Sequence, residues 1–243
     1  MTRYALLLTL VCLAGCGRVP PVGQISVAAA SNLTDAFQEI GREFTRRTGI
    51  PVAFNFASTA QLAYQIENAA PFDVFAAADR EHVEALVRSG RIEQVGSGIF
   101  ARGQLALWSS NHPELRALSD LQRAEVRYVA IASPGSAPYG RAAVEALKSA
   151  RLWEAVERKI VYANNINMAK QLAATGNADA AITSISLVLK DRGAIPIDDR
   201  LHLPIDLAIG VVTRSARHQN AARFVAFVLG EDGKIILRRF GYR

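Results

Sequence analysis

Four segments of the sequence place small, hydroxyl or amide residues where a strand is predicted to lead into a helix. The first turn of a helix leaves backbone N–H groups without partners, and the helix dipole adds partial positive charge there. Such groups can bind a small anion. None of the segments contains a lysine, so their chemistry favours anion binding by neutral donors. The segments are residues 28–35, 56–62, 133–141 and 163–168.

Each segment taken alone also fits a purely structural role. Ser31 or Asn32 suits the N-cap of a helix, and so does Ser58 or Thr59. Gly135 lies between two prolines, which is typical of a turn. Capping and anion binding do not exclude each other, so both interpretations stay open for each segment. The occurrence of four such segments in one chain favours a binding site.

The elements that would position these segments follow from the hydrophobic pattern. Leu33, Phe37, Ile40 and Phe44 form one helical stripe that ends before Gly49. Strands and helices alternate, which predicts an α/β fold: two Rossmann-like lobes with mostly parallel sheets, in which a ligand would bind at the carboxyl ends of the strands. Strands are predicted at 25–30, 52–56, 73–77, 99–109, 127–132, 159–162, 179–183 and 205–211, and helices at 33–48, 60–70, 80–89, 118–124, 141–152, 167–175, 220–229 and 232–240.

Composition excludes several classes of protein. Half of the 243 residues are hydrophobic and 21% are charged, which excludes a mostly disordered chain. The net charge of +6 comes from dispersed Lys and Arg residues, so we expect no nucleic-acid partner. The two cysteines, Cys12 and Cys16, lie too close to the N-terminus for a disulfide scaffold or a cysteine-ligated metal site.

The N-terminus predicts export and lipid attachment. Arg3 precedes an apolar run, and Leu13-Ala14-Gly15-Cys16 resembles a bacterial lipobox. We expect residues 1–15 to be a signal peptide, Cys16 to carry lipid, and residues 16–24 to be a tether. The protein would then work in the periplasm or on the outer face of the cytoplasmic membrane. The alternative is an uncleaved membrane anchor.

Catalytic signals are weak along the chain. The four histidines, at positions 82, 112, 202 and 218, show no metal-ligand spacing, and there is no GxSxG, HExxH or P-loop motif. We therefore expect no enzyme, no catalytic residues, no cofactor and no metal site. A hydrolytic enzyme is the alternative from a different functional class.

Several motifs resemble one known family. VAAASNLTDA at 27–36, FASTAQL at 56–62, APFDVF at 70–75 and RFGY at 239–242 are similar, in this order, to the periplasmic molybdate-binding proteins of ABC importers. The resemblance covers nearly all of the chain after residue 24. It implies the type II periplasmic binding protein fold, in which two lobes close on one tetrahedral oxyanion. Molybdate or tungstate would be the ligand, and sulfate would be rejected by size.

The resemblance also implies which residues would contact the anion. It assigns hydroxyl and amide donors to Ser31, the second hydroxyl position to Thr59 with Ser58 beside it, and a backbone N–H each to Tyr139 and Ile166. Asn32 and the Tyr139 side chain would belong to the set in one branch of the family. Another branch has a tyrosine at the position of Ser184, which leaves the role of this serine open.

Lobe boundaries and partners follow from the same resemblance, together with the strand order. Residues 25–102 and 207–243 would form lobe one, and residues 103–206 lobe two. We expect a monomer that delivers its ligand to the permease of an ABC importer in the cytoplasmic membrane. A binding protein of the same fold for another oxyanion, such as sulfate, is the alternative within this class.

Overall fold

Two five-stranded sheets organise the computed structural model of the protein, which describes residues 23–243. The predicted signal peptide at 1–15, the predicted lipid attachment site Cys16 and nearly all of the predicted tether lie outside the described residues. Within 23–243, every helix is too short or too polar to span a membrane.

The first sheet has the strand order β2-β1-β3-β10-β4. Strand β1 is parallel to β2 and β3, whereas β10 is antiparallel to β3 and β4. The chain therefore builds three strands, leaves, and returns near its end to complete the sheet. The strands are β1 (Ile25–Ala30), β2 (Val52–Ala57), β3 (Val74–Ala77), β4 (Gly98–Gly103) and β10 (Ile205–Val211).

The second sheet has the order β7-β6-β8-β5-β9. Strand β6 is parallel to β7 and β8, and β5 is antiparallel to β8 and β9. These strands come from the middle of the chain. They are β5 (Leu105–Trp108), β6 (Val129–Ala132), β7 (Ile160–Ala163), β8 (Ala180–Ser184) and β9 (Ile195–Pro196).

Nine α-helices of the described chain connect and cover these strands. We call the first sheet with α1–α3, α8 and α9 the first half, and the second sheet with α4–α7 the second half. The helices are α1 (Thr34–Thr48), α2 (Thr59–Glu67), α3 (Arg80–Arg88), α4 (Pro138–Ser149), α5 (Trp153–Val156), α6 (Ile166–Ala174), α7 (Ile185–Val188), α8 (His218–Leu229) and α9 (Glu231–Arg239); 3₁₀ turns occur at Ser31–Leu33, Leu118–Gln122, Glu157–Lys159 and Asp199–Leu201.

Aromatic packing joins the two ends of the chain in the first half. Phe44 of α1 meets Phe224 of α8 edge-on, with ring centroids 5.2 Å apart, and Phe37 lies 6.2 Å from the same ring. Gly41 lets α1 approach β2, because a Cβ at this position would lie 2.6 Å from the Phe54 ring. The stripe predicted for this helix is thus buried against elements from both ends of the sequence, strand β2 and helix α8.

Three sequence-based expectations about the sheets and their connections are wrong. The sheets are mixed rather than mostly parallel, because β5, by which the chain enters the second sheet, and β10, by which it returns to the first, both run antiparallel to their neighbours. The single strand expected at 99–109 is broken at Gln104, where the chain passes from one sheet to the other. Both β4 and β5 are largely apolar because both lie in buried sheets. The hydrophobic pattern therefore runs on through Gln104 and does not show where one strand ends and the next begins. The helix expected at 118–124 is a 3₁₀ turn.

Candidate anion-binding site

Each donor-rich segment follows the carboxyl end of a parallel strand. Strand β1 leads into the turn Ser31–Leu33, β2 leads through Ser58 into α2, β6 leads through a loop into α4, and β7 leads through Asn165 into α6. Two of the segments belong to the first half and two to the second. Ligands of α/β proteins bind at such strand ends.

The predicted site residues are all buried. The largest exposed fraction among them is 4%, at Ser58. None of their side chains carries a charge at neutral pH, and burial raises the pKa of the Tyr139 hydroxyl above its ordinary value. The six residues are Ser31, Asn32, Ser58, Thr59, Tyr139 and Ile166.

Contacts between the halves bring the segments of both sheets together. The N–H of Ala60, in the first turn of α2, donates to the carbonyl of Ser136 in the loop before α4, at 3.1 Å. The start of α6 packs against the turn that begins at Ser31. The described chain is therefore in a closed arrangement, in which the four helix starts border one buried region.

Several donors in this region lack a partner among residues 23–243. The hydroxyls of Ser31 and Ser58 make no hydrogen bond there, and neither side chain caps its helix. The backbone N–H groups of Thr59, Tyr139 and Ile166, in the first turns of their helices, also have no acceptor in the loops of the described chain, whereas the N–H of Ser31 continues the β1–β2 ladder to the carbonyl of Ala57. Unpaired buried donors are costly unless a ligand or water satisfies them. The arrangement suits a small anion that accepts several hydrogen bonds.

Residues 25–243 match the family described as bacterial extracellular solute-binding proteins. The molybdate-binding proteins of Rhodobacter capsulatus and Azotobacter vinelandii are each 32% identical to this chain, over 90% of it and 88% and 89% of their own lengths. The solved periplasmic molybdate-binding protein of Azotobacter vinelandii has a TM-score of 0.86 at 25% identity, covering 90% of this chain and 98% of that one.

The chain belongs to the bacterial extracellular solute-binding proteins. The resemblance predicted from the sequence is thereby confirmed, and so is the two-part α/β fold that it implies. The relatives above are binding proteins rather than enzymes, in agreement with the weak catalytic signals. The sulfate-binding protein SubI of Mycobacterium tuberculosis shares the fold alone, at 15% identity and a TM-score of 0.74.

The two adjacent hydroxyls at the start of α2 differ in this solute-binding protein. Thr59 Oγ1 accepts a hydrogen bond from the N–H of Ala78 at 3.1 Å, which ties α2 to the end of β3. The Ser58 hydroxyl has no such partner in the described chain. Ser58 is therefore the freer donor of the pair, although the resemblance gives the second hydroxyl position to Thr59.

The side chains of Asn32 and Tyr139 are directed at protein atoms. Asn32 Nδ2 donates to the hydroxyl of Tyr242 at 3.0 Å. The Tyr139 hydroxyl packs against Gly103, where an added Cβ would lie 2.0 Å from it, and it is close to Asn32 and Ser184 without forming a hydrogen bond. The backbone N–H groups of these two residues are thus better placed to bind an anion than their side chains.

Ser184, Ser186 and Tyr242 are buried polar residues beside the predicted set. Ser184 Oγ lies 2.7 Å from Ser186 Oγ, and Ser186 Oγ donates to the carbonyl of Asn32 at 2.9 Å. Sequence reasoning left Ser184 open and assigned no role to the other two. The proximity of Tyr242 to Asn32, 210 positions away in the chain, has no local sequence signal.

Proposed function

We propose that this solute-binding protein captures molybdate, and also tungstate, between its two halves and delivers the ion to the permease of an ABC importer. The observation that carries the proposal is the convergence of four neutral helix starts with unpaired donors in one buried region. Molybdate is a fully deprotonated dianion at neutral pH, so a site made only of donors suits it. The relatives named for molybdate binding support this choice of anion.

The donors proposed are the hydroxyls of Ser31 and Ser58 and the N–H groups of Asn32, Thr59, Tyr139 and Ile166. Hydrogen bonds to a charged acceptor contribute about 1.5–3 kcal/mol each, so donors from both halves together bind the anion more tightly than those of either half alone. The Thr59 hydroxyl is not counted among them, because it holds the N–H of Ala78. Lobe one is taken as 25–102 with 207–243, and lobe two as 103–206.

The place of work proposed is the periplasm or the outer face of the cytoplasmic membrane. The lipobox-like sequence ending at Cys16 supports anchoring by lipid, with residues 16–24 as the tether. A diacylglyceryl group with a third acyl chain gives stable membrane attachment. We propose a monomer, since each chain carries donors from both halves and completes its own site.

Titration calorimetry on the chain from residue 24 onward tests the function. We expect tight binding of molybdate and tungstate, and at least about 100-fold weaker binding of sulfate and phosphate, a gap of about 2.7 kcal/mol. Molybdenum–oxygen and tungsten–oxygen bonds are longer than sulfur–oxygen bonds. Molybdate and tungstate can therefore reach all donors of a rigid site, whereas the smaller sulfate cannot reach them all at once. Equal affinity for sulfate and molybdate would contradict the assignment, and binding of neither would contradict the proposed function.

A further inference from the structure

The main-chain carbonyl of Asn32 is held by two buried hydroxyls from distant parts of the chain. Tyr242 Oη lies 2.8 Å from this oxygen, and Ser186 Oγ lies 2.9 Å from it. Asn32 Nδ2 also donates to Tyr242 Oη at 3.0 Å. Tyr242 is therefore hydrogen-bonded to both the main chain and the side chain of Asn32. Tyr242 and Ser186 are 3% and 5% exposed.

The two hydroxyls that hold the Asn32 carbonyl come from different halves of the molecule. Tyr242 is fixed by its neighbour Arg243, whose N–H and carbonyl pair with the main chain of Arg102 in β4, at 3.0 and 2.6 Å. Ser186 lies in α7 of the second half and is linked to Ser184 at the end of β8 by a 2.7 Å hydrogen bond. The carbonyl of Asn32 therefore accepts one hydrogen bond from each half.

The peptide unit that carries this carbonyl also carries the N–H of Leu33. In a planar trans peptide the C=O and the N–H point in opposite directions, so fixing the oxygen fixes the direction of the hydrogen. The Leu33 N–H lies in the 3₁₀ turn that opens α1, where the i to i−3 pattern pairs it with the carbonyl of Ala30, so fixing this peptide fixes the turn. Two donors on the carbonyl also polarise the peptide, which strengthens the N–H as a donor.

We propose that Tyr242 and Ser186 are positioning residues for the anion-binding turn Ser31–Leu33, and that Ser186 makes the orientation of this turn depend on the second half being in place. The proposal rests on the proposed function. Neither hydroxyl is assigned to the anion itself. Burial raises the pKa of Tyr242 above its ordinary value, so its hydroxyl keeps the proton that it donates.

The test uses Tyr242→Phe and Ser186→Ala, each of which removes one hydroxyl and little volume. Ser109→Ala is the matched control, because the buried Ser109 hydroxyl also donates to a main-chain carbonyl, that of Asp179, far along β5 from the site. We expect each test variant to bind molybdate about 10-fold more weakly than the wild type. The control should lose stability toward urea and keep wild-type affinity.

A second readout needs no ligand. The amide proton of Leu33, observed by NMR in the unliganded protein, should shift in both test variants and stay in place in Ser109→Ala. If both test variants lose only stability and keep wild-type affinity, the positioning role is wrong. An unshifted Leu33 amide in both would overturn it as well. If Tyr242→Phe does not fold, the affinity and the Leu33 amide shift of Ser186→Ala alone decide the outcome.

The two readouts also separate this inference from the proposed function. A wild-type protein that binds no molybdate, tungstate or sulfate would remove the function, and the inference about anion donors would fall with it. A wild-type protein that binds molybdate while the variants bind equally well would leave the function standing and overturn the positioning role alone.

Discussion

The chemistry of single residues at the four helix starts sets what this protein can bind. The residues that supply the hydroxyls and N–H groups are neutral and buried, and the Ser31 and Ser58 hydroxyls cap no helix. Water cannot compete well in a closed region of low dielectric, so each donor gains strength there. A buried Lys or Arg would add an unfavourable desolvation cost without improving shape selection.

Ser58 and Thr59 give the sharpest prediction at this scale. Ser58→Ala should weaken molybdate binding by about 1–3 kcal/mol, since it removes a free donor, and should leave the unfolding free energy nearly unchanged. Thr59→Val should cost stability by a similar amount, because the N–H of Ala78 loses its buried acceptor. Calorimetry and urea unfolding on both variants check this. A loss of affinity in Thr59→Val with wild-type affinity in Ser58→Ala would contradict this prediction, and would show that the Thr59 hydroxyl binds the anion.

Local sequence signals predicted the helix starts that form the candidate site. Hydroxyl and amide residues after apolar runs marked the starts of α2 and α6, and the structure has helices there. Tyr242 and Ser186 were missed as partners of Asn32, since their meeting depends on how the last helix and α7 pack. Such contacts are set by tertiary structure, and a residue's type and neighbours do not encode them.

Elements that face each other across the two halves add a weak electrostatic contact at the rim of the site. Arg141, two residues after Tyr139 in α4, pairs with Asp79 at 3.0 Å and with Glu81 at 3.1 Å. Asp79 also caps α3 by accepting from the N–H of His82. Arg141 belongs to the second half, and Asp79 and Glu81 belong to the first. These ion pairs therefore favour the arrangement in which the two halves are in contact.

Arg141→Met should weaken molybdate affinity by about 0.2–1 kcal/mol, the usual contribution of a solvent-screened ion pair. Methionine keeps the apolar stem of the side chain. The difference from wild type should shrink as salt is raised, because exposed charges are screened. Arg200→Met is the control, since Arg200 pairs with Asp198 two residues away and bridges nothing. Equal losses in both variants, measured by calorimetry at two salt concentrations, would contradict the role in closure.

The pattern of elements was predictable where hydrophobic period and length agree. The long stripe of α1 and the strand expected at 205–211 both match the structure, although both faces of β10 are buried. Strand direction was not predictable for β4, β5 and β10, because direction depends on where the chain crosses between sheets. The break at Gln104 escapes the pattern for the same reason: burial in either sheet selects the same apolar residues.

At the scale of the whole molecule, the two halves are joined where β4 runs into β5 and where the chain returns to β10. Donors on both sides then act together only when the halves meet. Binding of the anion would shift the population toward the closed state, because that state alone offers the full donor set. An importer could recognise the loaded protein by its shape.

Small-angle scattering checks this closure. The radius of gyration of the wild type should fall on addition of molybdate and stay unchanged on addition of sulfate. Ile166→Pro is a useful variant, because it deletes one proposed N–H donor from the second half while proline is tolerated at the first position of a helix. It should bind more weakly and close less at a given molybdate concentration. A wild-type radius that molybdate does not change would contradict closure.

The most direct measurement is a crystal structure with tungstate, located by the anomalous scattering of tungsten. The account predicts one strong peak between the halves, with the tungstate oxygens in hydrogen-bonding reach of the Ser31 and Ser58 hydroxyls and of the Tyr139 and Ile166 N–H groups. No lysine or arginine should touch the ion. A peak bound by surface cations, or one that contacts donors of a single half, would contradict the account.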